Sequence, residues 1–71
     1  MGGWMKGYSS YEVIRLLKND GWYEYACVGD HHQFKHSIKP GRITVPHPKK
    51  DLSIGTVKSI FKAAGIKEFG G

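Results

Sequence analysis

Two stretches of this chain carry apolar residues at helical spacing, and each is apolar on one side only. In "SSYEVIRLLKNDG", Val13, Ile14, Leu16 and Leu17 form a stripe at offsets of three and four. Near the end, Val57, Ile60, Phe61 and Ala64 follow the i, i+3, i+4, i+7 pattern. A one-sided helix must bury its stripe against another layer. In a chain of 71 residues the segment between the two stretches has to supply that layer.

The punctuation fits. Ser9 or Ser10 can N-cap the first helix, and Ser9 with Glu12 has capping-box spacing. Asp20-Gly21 supplies the stop, with glycine able to turn left-handed, so a helix is predicted over about residues 10–20. The second helix is predicted from Ile54 or Gly55 to Ala64, ended by Gly65. Lys58 and Lys62 lie off its stripe and should face solvent.

The middle reads as three strands. "WYEYACV" is rich in aromatics, but its alternating faces, Trp22/Glu24/Ala26/Val28 and Tyr23/Tyr25/Cys27, are both mixed, so the buried one is not identified. Gly29-Asp30 makes a short turn into "HHQFKHS". "IKPG" is turn chemistry, with Pro40 and Gly41 suited to its middle. "RITVP" sets Ile43 and Val45 against Arg42 and Thr44, and Pro46 ends it. Short links predict an antiparallel meander. The expected fold is α+β, in the order α-β-β-β-α, with two helices packed on one face of a three-stranded antiparallel sheet. A single domain is expected over 9–66, with a flexible lead at 1–8 and a flexible tail at 67–71.

A core this small supports only about 3–5 kcal/mol of net stability and leaves few side chains to line a cavity. A working site is therefore expected on the surface. The one cysteine, Cys27, excludes an internal disulfide and fits a reducing cytoplasm. The apolar runs are far short of a membrane span. Charge is uneven. Residues 1–30 set Lys6, Arg15 and Lys18 against Glu12, Asp20, Glu24 and Asp30, a net −1. Residues 31–71 set Lys35, Lys39, Arg42, Lys49, Lys50, Lys58, Lys62 and Lys67 against Asp51 and Glu68, a net +6. Such asymmetry suits a polyanion, with nucleic acid the usual candidate, although a lysine-rich surface can also serve solubility alone.

"VGDHHQFKHS" holds three of the four histidines. Strand alternation places His32, Phe34 and His36 on one face and His31, Gln33 and Lys35 on the other. Phe34 is the large apolar residue here, so its face should meet the helices. His31 then points away from the core, and His32 reads as structural. Metal ligation by Cys27, His31, His32, His36 and His47 finds little support. His32 and His36 would stand about 13 Å apart on a strand, and there is no CxxC, HExxH or acidic cluster. No metal and no other cofactor is expected. Cys27, mid-strand, reads as a buried and inert thiol.

A histidine base acting on RNA is the remaining chemistry. RNA carries its own nucleophile, the 2′-hydroxyl, and an imidazole can take its proton at neutral pH. Lys35, Lys49 and Lys50 are candidate phosphate partners, with Lys58 and Lys62 behind them. The residues alone leave open that His31 is only a solvated strand position.

The pieces "DGW", "GxHHxFKH", "TVPHPKKDL" and "IGTVKSIFKAAGI", in this order across Tyr11 to Ile66, resemble the HicA family of toxins from bacterial type II toxin–antitoxin modules. The resemblance implies a fold like that of double-stranded-RNA-binding domains. It also implies cleavage of mRNA without a metal, using a histidine in a Gly-Ser-His-His segment, and silencing by a HicB antitoxin that covers the active surface. Carried over, His31 takes the catalytic position and His32 is the fallback. His36 and His47 also match family positions. Asp30 stands where the family usually has serine; a carboxylate there would orient His31 and repel phosphate, whereas the plainer reading is a turn cap. Two rival functions stay open: a non-catalytic RNA-binding module of the same fold, and an interaction protein whose basic face docks an acidic partner.

Overall fold

In a computed structural model, which describes residues 7–66, helix α1 (Ser10–Asn19) begins at Ser9. The Ser9 hydroxyl accepts the Glu12 N–H, and the Glu12 carboxylate accepts the Ser9 N–H at 3.0 Å, closing the capping box. Past Asp20 the chain turns at Gly21, whose φ is 102°. A Cβ there would also come within 2.7 Å of His36 Nε2, so conformation and space both demand glycine. Helix α2 (Ile54–Ala64) is capped by Ser53, which accepts from the Thr56 N–H, and ends at left-handed Gly65. Both helices form where the punctuation places them.

Strands β1 (Trp22–Val28), β2 (His31–His36) and β3 (Ile43–Pro46) form one antiparallel sheet in the order β1-β2-β3. Gly29, at φ 60°, and Asp30 join β1 to β2 in the pattern of a type II′ hairpin turn. The pairing then departs from simple alternation. Glu24 opposes Phe34 and Ala26 opposes Gln33, so Tyr25 is an extra residue in a β-bulge. Trp22 and Glu24 lie on the helix side of the sheet. Beyond the bulge it is Cys27, opposite His32, that lies on that side, while Ala26 and Val28 share the open face with Gln33 and His31. This corrects the expected faces of β1. Cys27 is not buried but exposed, because the strand's helix side runs out past the end of the core there.

The core is one cluster: Val13 and Leu17 from α1, Trp22, Phe34, Ile43 and Val45 from the sheet, Leu52, and Val57, Ile60, Phe61 and Ala64 from α2. Both helices pack on the same sheet face, as expected for an α+β fold of this order. Tyr8 pairs with Leu52, whose N–H donates to the Tyr8 carbonyl at 2.8 Å, and its ring meets Phe61 edge-on. The remaining positions of the expected lead and tail, 1–6 and 67–71, lie outside the described residues. Among the described residues no helix is long and apolar enough to cross a membrane.

Asp20 ties the helix ends together. Its carboxylate pairs with Lys39 Nζ and accepts the Trp22 indole N–H at 3.1 Å. Lys39 also donates to the Ala64 carbonyl at 2.9 Å, at the C-terminus of α2, where a cation complements the helix dipole. The Lys39 hydrogen bond holds the Asp20 carboxyl below its ordinary value of 3.8; burial opposes this, and the Lys39 charge and Trp22 reinforce it. A carboxyl depressed in the folded state contributes stability above its unfolded pKa and loses it as pH falls through the folded value. In urea titrations from about pH 5 down to about pH 2, Lys39→Met should therefore start less stable and lose stability less steeply than wild type. Parallel curves would show that the pair contributes nothing.

Candidate functional site

Four histidines lie in the described residues, and their hydrogen bonds give them different duties. His36 is structural. Its Nδ1 accepts the N–H groups of Ile38 and Lys39, each at 3.0 Å, so the proton sits on Nε2, which donates to the Asp20 carbonyl at 2.7 Å. Its ring packs edge-on against Trp22.

His47 belongs to a clamp between the β3–α2 loop and the start of α1. Ser10 is fully buried; its N–H donates to the Lys49 carbonyl at 2.9 Å, and its hydroxyl accepts the Lys49 N–H at 2.8 Å. The same hydroxyl lies 2.6 Å from His47 Nδ1. The His47 N–H donates to the Asp30 carbonyl at 2.8 Å, which fastens the loop to the β1–β2 hairpin tip. The His47 ring stands edge-on between Tyr11, with centroids 4.6 Å apart, and His32, at 4.8 Å.

His32 lies on the helix side with its side chain 19% exposed. Its Nδ1 is 3.0 Å from a Glu24 carboxylate oxygen and its Nε2 is 3.6 Å from Cys27 Sγ. His31 is the contrast. It projects from the open face with its side chain 63% exposed, and the Asp30 carboxylate is 3.9 Å from its Nε2. Outward His31 and inward His32 follow from alternation along β2. Asp30 uses its backbone, not its carboxylate, to hold the turn to the loop.

The lysines divide between layers. Lys35 is exposed on the open face, its Nζ 5.0 Å from the Tyr25 ring centroid. Tyr23 and Tyr25 are 50% and 38% exposed, so these aromatics are outside the core. The Tyr25 hydroxyl donates to Gln33 at 3.0 Å and accepts from Arg42 at 3.3 Å. Lys49 and Lys50 are exposed on the clamped loop, just past Pro46, the residue paired with His31. Lys58 and Lys62 are exposed on α2, in the helical layer, with the sheet between them and the His31 side chain. The structure thus gathers His31, Asp30 and the 47–50 loop at one end of the sheet, sets Lys35 further along the same face, and leaves Lys58 and Lys62 apart.

Ser10, Tyr11 and Glu24 join the surroundings of the site without being singled out by the sequence for that purpose. Ser10 reads from sequence as a helix cap. Glu24 meets His32 across a strand pair whose register the bulge displaces.

A family model described as HicA toxin of bacterial toxin-antitoxin matches residues 10–66, from the first residue of α1 to just past α2. No curated protein matches the chain significantly.

Removing the Ser10 hydroxyl leaves the Lys49 N–H and the His47 ring short of a partner. Ser10→Ala should destabilise the fold by roughly 1–3 kcal/mol in urea unfolding and speed hydrogen exchange at the Lys49 amide. An unchanged midpoint with unchanged exchange would mean the clamp does not hold the loop.

Proposed function

The chain belongs to the HicA family, toxins of bacterial toxin–antitoxin modules, and on that premise we propose that it is an endoribonuclease that cleaves mRNA without a metal. His31 acts as the general acid/base, and a HicB-type antitoxin silences the protein by covering the same surface in the cytoplasm. The observation that carries the assignment is the state of the four imidazoles. His32, His36 and His47 each spend at least one ring nitrogen on the protein, at 2.6 to 3.0 Å. His31 makes no such bond and stands in solvent.

A neutral His31 takes the proton of the RNA 2′-hydroxyl, and that oxygen attacks the adjacent phosphorus in line. The bond to the 5′-oxygen breaks, the leaving oxygen takes up a proton, and a 2′,3′-cyclic phosphate remains. Lys49 and Lys50 offset the charge that builds on the phosphoryl oxygens, and Lys35 supports the strand further along the face. Lys58 and Lys62 give weaker, longer-range attraction from the other layer. Asp30 works against this by placing a carboxylate beside the base. His32 is the second reading, favoured by the Glu24 carboxylate that orients its ring.

His31→Ala should lower RNA cleavage by about 10²–10⁴-fold and abolish growth arrest, with RNA binding kept and wild-type cleavage unaffected by chelator. If His31→Ala still cleaves and His32→Ala does not, the base is His32. If both still cleave, the histidine mechanism fails. An inert wild type that binds RNA would favour a non-catalytic module. Binding should weaken with salt, and Lys49→Ala with Lys50→Ala should flatten that dependence, because each lost phosphate contact releases fewer counterions.

A further inference from the structure

We propose that Cys27 and His32, with Glu24 holding the imidazole from its other nitrogen, form a site for a thiophilic divalent transition cation such as zinc, beside the proposed RNA chemistry and using none of the His31 side chain. A Cys27 sulfur, a His32 ring nitrogen and a Glu24 carboxylate oxygen all lie within 4.8 Å of one another. The central distance is the 3.6 Å between Cys27 Sγ and His32 Nε2. Zinc bonds of about 2.0–2.1 Å to imidazole nitrogen and about 2.3 Å to thiolate sulfur, at a tetrahedral angle, span about the same separation. The two atoms therefore already stand as far apart as two ligands of one ion.

Glu24 completes the arrangement. Its carboxylate holds His32 Nδ1 at 3.0 Å, so the proton faces Glu24 and the Nε2 lone pair faces the sulfur. A metal-binding imidazole typically has such a carboxylate on its other nitrogen, which fixes the tautomer and strengthens the donor. Thiolate with imidazole selects zinc and its neighbours over magnesium or calcium. Cys27 and Glu24 are both exposed, so an ion reaches the site without opening the fold. Binding releases the thiol proton to solvent as the Sγ–metal bond forms, and water fills the remaining positions. The bulge at Tyr25 makes the site possible by setting Cys27 across from His32 instead of His31. The ion would cross-link β1 to β2 one residue from His31.

The test uses the full chain, stripped with chelator and kept reduced with a phosphine. Cobalt(II) should saturate at one equivalent and give a thiolate-to-metal charge-transfer band, and zinc should displace it. Cys27→Ser should abolish the band. Glu24→Gln should weaken binding by about 10–100-fold, and zinc should slow iodoacetamide alkylation of Cys27 in wild type but not in His32→Asn. No band, a band that never saturates, or equal cobalt affinity in His32→Asn would overturn the site and leave a solitary thiol. Circular dichroism checks each variant. Should His32→Asn fail to fold, exposed Cys27→Ser decides, since zinc affinity equal to wild type there would equally remove the proposed site. None of these readouts involves RNA.

Discussion

The arrangement of the functional end depends on one buried hydroxyl. Ser10 is the first residue of α1, and it is fully enclosed while bonding to both the Lys49 backbone and the His47 ring. Through it, the packing of α1 on the sheet fixes the path of the 47–50 loop, and the His47 N–H carries that constraint to the carbonyl of Asp30. The hairpin tip that bears His31 is therefore braced against the helical layer, while the His31 ring itself stands in solvent. A solvated side chain at a hairpin tip of a small domain gains its placement from such indirect support. Its own side chain can stay solvated only if its backbone is held by something that is not.

The fold was legible because its information is local and periodic. The Val57/Ile60/Phe61/Ala64 stripe, the capping box at Ser9 and Glu12, and the Ile43/Val45 alternation each say where a residue must face without reference to the others. His31 outward and His32 inward were legible for the same reason, since Phe34 pins the phase of β2. The fate of Cys27 was not. A bulge is a mismatch between two strands, and neither strand's sequence contains it. Period-two counting along "WYEYACV" therefore places Cys27 with Tyr23 and Tyr25, whereas the pairing places it with His32. The clamp escaped for a different reason. Ser10 and Lys49 are far apart in the chain, and a serine at a helix start already has a sufficient explanation as a cap.

Charge and shape divide the surface along the layers. The open sheet face offers exposed Tyr23 and Tyr25 with Lys35 and Arg42, a mixture able to hold both the flat faces of bases and the charge of a backbone. The solvent side of α2 offers Lys58 and Lys62. A partner that covered the first surface would leave the second free.

The extra residue at Tyr25 has a wider meaning for how this chain can change. Residues 22–24 of β1 keep the phase that the core dictates, with Trp22 packed under the helices, whereas residues 26–28 follow a phase of their own at the rim. One strand thus answers to two masters, with a joint between them that tolerates a change of step. Substitutions at the rim end alter how Cys27 meets His32 or how Val28 sits opposite His31, yet they impose no new alternation on Trp22. The His31 end can change in sequence while the hydrophobic end stays still.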